Sequence, residues 1–250
     1  LASIVNILDG AKRDKWFRPS DVKVAPDGSL IVADWYDPGV GGHNMRDLDR
    51  GRLFRVTPKG HKGYKLPKQN FKTTDGLIAA IKNPNHAVRY VAWMELHKKQ
   101  NSAKAALLEL AGDDNPRFRA RALWLLSQIK GNQKAAVGLA LKDKDDNIRG
   151  MALRIARQHK LDVISEIREL ADDKSALVRR ECLIALRHHQ SDEAPALWAK
   201  LADAHDGKDR WYLEALGLAA DKQENKFFDN WVAGAKLNTA AARDIIWRNR

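Results

Sequence analysis

Cysteine is almost absent from this 250-residue chain, where Cys182 stands alone. One thiol excludes an intrachain disulfide, and without a C-x-x-C-H motif the chain itself cannot carry a c-type haem through two thioethers. Cys182 sits at a small-residue position of a helical pattern and reads as packing, not as a nucleophile. No apolar run approaches the length needed to span a bilayer. No signal peptide opens the sequence, which, for a chain beginning at Leu1, says nothing about compartment. The glycines at 39, 41 and 42 make neither a G-x-G-x-x-G nor a P-loop pattern, so they read as turn glycines and not as a phosphate cradle.

What is present is an arginine at a thirty-residue interval: Arg89, Arg119, Arg149 and Arg179. Each lies in a similar apolar segment, NHAVRYVAWMEL (85–96), NPRFRARALWLL (115–126), DNIRGMALRIA (146–156) and SALVRRECLIAL (175–186). In a fifth, GKDRWYLEAL (207–216), Leu213, Ala215 and Leu216 fall thirty residues after Leu183, Ala185 and Leu186, and Asp209 takes the arginine's place. The apolar spacing is helical. Second helices fill each period at 103–111, 134–142, 163–171, 194–202 and 227–235, while Asp, Asn and Gly mark the turns and Pro84 and Pro116 the helix starts. A fixed period of this length means stacked units sharing one core.

The pattern of an Asp/Asn turn, an aliphatic residue, an arginine, then small and large apolar residues resembles HEAT-like repeats. Ala92, Ala122, Ala152 and Cys182 share one position, where a small side chain lets helices approach closely. The predicted fold is therefore mainly α, a right-handed α-α superhelix of HEAT-like repeats over 73–250. Six of the eight tryptophans, Trp93, Trp124, Trp198, Trp211, Trp231 and Trp247, fall in helical patterns and are expected in its core.

Residues 1–66 read differently. Strands are expected at 22–25 and 30–33, joined by a turn at Pro26, Asp27 and Gly28, and at 52–57, forming a β-meander followed by a linker at 67–72. A meander this small needs something to cover its apolar face. The stretch WFRPSDVKVAPDGSLIVADWYDPGVGGHNMRDLDRGRLFRVTPKG (16–60), above all ADWYDPGVGGHNM (33–45), resembles the closing propeller blade of a family of membrane-bound dehydrogenases of planctomycetes and verrucomicrobia. In that family a propeller similar to sugar dehydrogenases precedes helical repeats, a c-type haem domain often follows, and RDIIWRNR (243–250) resembles the transition out of the repeats.

The resemblance implies a scaffold region within a secreted or periplasmic dehydrogenase acting on sugars or related alcohols. Its partners would be the propeller and haem domains or an electron-acceptor protein, and its cofactor a quinone with calcium. The chain opens without room for the other blades, so the expectation is a fragment that is not catalytically complete and carries no certain cofactor of its own.

Two further readings stay open: a repeat module binding a protein or glycan surface, and a basic nucleic-acid binder. The net charge of +12 favours acidic partners. The excess is spread, however, with twelve basic and eight acidic residues in 1–66, and this disfavours nucleic acid. Arg89, Arg119, Arg149 and Arg179 could form a partner surface, but an Asp/Asn–Arg ladder joining successive turns explains them better. The chemical candidates cluster in the N-terminal part: Asp34, Asp37, Asp47 and Asp49 as oxygen ligands for a cation, calcium first, and His43, which the resemblance to sugar dehydrogenases implies as a base on a sugar hydroxyl.

Overall fold

The computed structural model describes residues 3–10, 14–37, 50–61 and 68–249. The chain is mostly helical with a small antiparallel sheet near its N-terminal end, and it divides into two compact units, Leu1–Ala92 and Trp93–Arg250. Residue 67 of the expected linker lies outside the described residues.

In the first unit β1 (Pro19–Val24), β2 (Leu30–Asp34) and β3 (Arg52–Val56) form the expected meander, Val32 standing opposite both Val22 and Phe54. Gly28 closes the first turn at φ 86°, a left-handed conformation that costs other residues a Cβ clash. Asp27 Oδ1 accepts from the Ser29 amide and hydroxyl at 2.9 and 2.6 Å, and its carboxylate pairs with Arg55 on β3. Val32 is buried, yet Val22, Val24 and Leu53 are exposed, so the sheet's own core is thin and rests on Phe17 set edge-on to Phe54 at 5.8 Å. Helix α1 (Thr74–Lys82) starts at the Thr73 cap, whose hydroxyl accepts from the Gly76 amide at 3.2 Å. Asn85 does double duty in this unit. Its Oδ1 accepts from the Ala87 amide at the start of α2 (His86–Lys99) at 2.9 Å, and its Nδ2 donates to the Ala25 carbonyl of the β1–β2 turn at 2.9 Å.

The second unit continues with a 3-10 turn (Gln100–Ala103), α3 (Lys104–Leu110), α4 (Pro116–Gln128), α5 (Gln133–Leu141), α6 (Asp146–Gln158), α7 (Ile164–Leu170), α8 (Ala176–Leu186), α9 (Ala194–Asp203), α10 (Arg210–Ala220), α11 (Glu224–Val232) and α12 (Ala240–Arg248). Each even-numbered helix from α4 to α10 packs on the next even one, and the odd-numbered helices line the other side. Polar caps start the even helices: Asn115, Asp145 and Asp209 accept from the amides of Arg117, Asn147 and Trp211 at 3.0, 2.9 and 2.9 Å. Such caps are worth about 1 kcal/mol each. Ala92, Ala122, Ala152 and Cys182 are fully buried, as their shared position requires. At Gly150 even a Cβ would come within 3.1 Å of Glu181 Cγ, so α6 and α8 lie close there.

The even helices end in left-handed residues, at Gln100, Gly131, Lys160, His188 and Lys222, with φ between 49° and 78°. Only one of these is glycine, so the chain accepts strain at four repeat corners.

Helix α12 starts at the Thr239 cap, whose hydroxyl accepts from the Ala242 amide at 3.0 Å. Two expectations need correction. Asp209 does not replace the arginine: it is the N-cap of α10, equivalent to Ser175, because the turn before α10 is longer than the turns before α6 and α8. Tyr212 thereby takes the place of Val178. Of the six helical tryptophans, Trp198 and Trp231 are buried, but Trp211 is 70% and Trp247 79% exposed.

Candidate interaction surface

The recurring arginine is used inside the stack. Arg119 Nη1 donates to the carbonyls of Asp113 and Asp114 in its own turn at 3.0 and 2.9 Å, while Nε and Nη2 both donate to Asp143 in the next turn at 2.8 Å. Arg149 repeats this geometry on Asp143 O, Lys144 O and the Asp173 carboxylate, at 3.0, 3.2, 2.6 and 2.9 Å. Bidentate guanidinium–carboxylate pairs of this kind fix both distance and angle. The Arg149 guanidinium, against opposing burial, holds the Asp173 carboxyl below the usual carboxylate range. For Asp143 burial is the larger influence and would raise it, but Arg119 and the Asp145 amide together outweigh that and hold it low as well.

Arg89 closes on its own turn, donating to the carbonyls of Asn83 and Pro84 at 2.9 and 2.6 Å. At Arg179 the rung changes. Its Nη1 donates to the Asp173 carbonyl at 2.6 Å, but Asp203, at the acceptor's place in the next turn, takes the Trp231 indole N–H at 2.9 Å. Arg179 Nε is left buried without a partner, and the guanidinium lies 5.7 Å from the Tyr212 ring centre.

Other arginines bridge neighbouring repeats on the surface: Arg154 to Glu181, Arg168 to Glu193, Arg187 to Asp221 and Arg248 to Glu214. These arginines are matched within the fold, while the chain's net charge stays at +12. Between α4 and α6 a groove of about 410 Å³ is lined by Ala120, Trp124, Met151, Arg117 and Arg154. An aromatic ring, a thioether and guanidinium groups in one groove are the side chains that anchor protein interfaces.

The N-terminal acidic cluster is only partly described. His43, Asp47 and Asp49 lie outside the described residues. Asp34 is buried, its Oδ1 accepting from the amides of Arg18 and Tyr36 at 2.7 and 3.0 Å and its Oδ2 from Arg52 Nε and Nη2 at 2.8 and 2.5 Å. Burial would raise the Asp34 carboxyl, but these four donors overcome it and keep it ionised. Asp37 stands beyond the end of β2 and is not among these partners. Among the described residues no three His, Cys, Asp or Glu side chains gather as a metal would need, and no helix is long and apolar enough to cross a membrane.

With the helical stack in view, its class is plain: a helical repeat protein built to present surface. A family profile for HEAT repeats matches residues 74–140, and another, for a domain of unknown function (DUF7133), matches residues 10–60. No curated protein matches the chain. HEAT repeats of this kind make a repeat-based interaction module.

Proposed function

We propose that this chain is the scaffold and protein-binding region of a larger oxidoreductase, joining a propeller-type domain to an electron acceptor. The α4–α6 groove carries the binding half of this reading, because the half-buried Trp124 offers apolar contact beside the cationic Arg117 and the acidic Asp145, with Arg154 held by Glu181. The internal rungs at Arg119 and Arg149 support it by keeping the helices that form the groove in fixed register. The same rungs weigh against a nucleic-acid surface, since Arg119 and Arg149 are spent on carboxylates inside the stack.

The oxidoreductase half is supported by the order of a β segment and repeats and by the likeness of residues 16–60 to a closing propeller blade. In this reading the substrates are sugars or related alcohols, the compartment is the periplasm or the exterior, and His43 is the candidate base. A quinone and a c-type haem would belong to domains outside this chain. Calcium does not fit Asp34, whose two oxygens already accept four hydrogen bonds.

The test uses the parent protein with its flanking domains, assayed for dye-linked oxidation of sugars and polyols. Trp124→Ala should leave dye-linked turnover unchanged and slow electron delivery to the acceptor protein about tenfold, as expected for loss of an interface anchor. Absence of any sugar or alcohol oxidation would refute the oxidoreductase half. Unchanged delivery in the variant would refute the groove.

A further inference from the structure

The longer turn before α10 turns His205 inward. The residue is 7% exposed, its ring lies nearly parallel to Tyr212 with centroids 5.8 Å apart, and neither Nδ1 nor Nε2 has a hydrogen-bond partner. Buried polar atoms are nearly always paired, so two unmet nitrogens on one imidazole call for an explanation. His205 lines a cavity of about 420 Å³ formed by the end of α9, this turn, the end of α11 and the start of α12. That size suits a small ligand.

The other groups lining the cavity have distinct roles. Lys236 brings an ammonium, and Ala241 belongs to the first turn of α12, whose dipole favours an anion, while the neighbouring Ala242 amide is held by the Thr239 cap. Gly207 packs close to this turn: a Cβ there would sit 3.3 Å from the Ala241 amide nitrogen, so the histidine loop and α12 are held together. Asp203 has the opposite character. Its Oδ1 accepts from Trp231 Nε1 at 2.9 Å, and its second oxygen retains acceptor capacity toward a hydroxyl. An anion alone would not use this carboxylate. A small acid that also carries a hydroxyl would use both.

We infer that the cavity binds a small hydroxy acid, its carboxylate met by Lys236, the Ala241 amide and His205, and its hydroxyl donating to Asp203. This inference stands independently of the oxidoreductase reading. It is tested by titrating lactate, propionate and inorganic phosphate into the full chain and following the His205 ring and the Ala241 amide by NMR. Lactate should give saturating shifts at both positions. Propionate, which lacks the hydroxyl, should bind about tenfold more weakly, and phosphate more weakly still because Asp203 repels it. His205→Phe, and the surface change Lys236→Gln that leaves the core untouched, should each weaken lactate about tenfold, with an unchanged circular dichroism spectrum confirming the fold. No saturation by lactate at tens of millimolar, equal affinity in wild type and Lys236→Gln, or phosphate binding as tightly as lactate would each overturn the inference.

Discussion

Replacing Arg119 with methionine keeps the aliphatic stem in place and removes only the guanidinium. In the folded chain that group makes four hydrogen bonds, two to turn carbonyls and two to Asp143, and the side chains of Arg119 and Asp143 are only 6% and 9% exposed. Breaking a buried pair from one side strands the other charge, which costs about 3 to 5 kcal/mol. The lower figure applies here, because Asp143 keeps the Asp145 amide as a donor at 2.8 Å. With a urea slope of about 2 kcal/mol/M for a unit of this size, the midpoint should fall by about 1.5 M. Repeat stacks can melt in parts, so far-UV circular dichroism should be paired with amide hydrogen exchange, which should show loss of protection centred on α4 to α6. Asp143→Asn should be comparably damaging. The double variant should be less destabilised than the summed singles by about 1 to 3 kcal/mol. A midpoint shift below about 0.3 M, or strict additivity, would refute the ladder as a source of stability.

The rungs also set an acid limit. Asp143 and Asp173 are held below the ordinary carboxylate value of 3.8, so the stability they contribute is present above that value and is lost as pH falls through their lower folded values. Urea midpoints measured downward from about pH 5 should therefore drop more steeply in the wild type than in Asp173→Asn, and equal slopes would contradict the assignment. At Lys160, where φ is 55°, glycine should relieve left-handed strain and raise stability by about 0.5 to 1 kcal/mol, and destabilisation would show that the corner is not strained. The Cys182 thiol is pushed up to about 12 by burial, so Ellman's reagent should leave it unmodified in the folded chain and react fully in concentrated guanidinium. Rapid labelling of the native protein would place Cys182 at the surface.

The repeat period was legible because each helix must bury one face, and that demand writes apolar residues at helical spacing into every unit. The fifth unit shows where spacing stops being decisive. Leu213, Ala215 and Leu216 match Leu183, Ala185 and Leu186 in the thirty-residue frame, yet both frames turn apolar residues inward, and only the cap at Asp209 selects the other. Trp211 follows that cap within the first turn of α10 and points outward, which periodicity alone does not reveal. The acidic cluster was visible as composition, but the partners of Asp34 come from Arg18 and Arg52, on separate stretches of chain. His205 left no signal at all. In the polar turn H-D-G-K-D it looks like a surface residue, and its interest lies in hydrogen bonds that neighbouring side chains fail to supply. The α4–α6 groove was hidden in a similar way, because Trp124 and Met151 meet only once two successive repeats have stacked.

The central claim is that Arg119 and Arg149, two of the four repeating arginines, point into the stack and bind the next repeat, leaving other side chains to meet a partner. An NMR spectrum of the arginine Nε–H groups tests it most directly. Arg119 and Arg149 should give slowly exchanging signals that disappear in Arg119→Met and Arg149→Met and shift in Asp143→Asn and Asp173→Asn respectively. Rapid exchange at both positions, indistinguishable from that of the exposed Arg210, would mean that these side chains face solvent and would contradict the account.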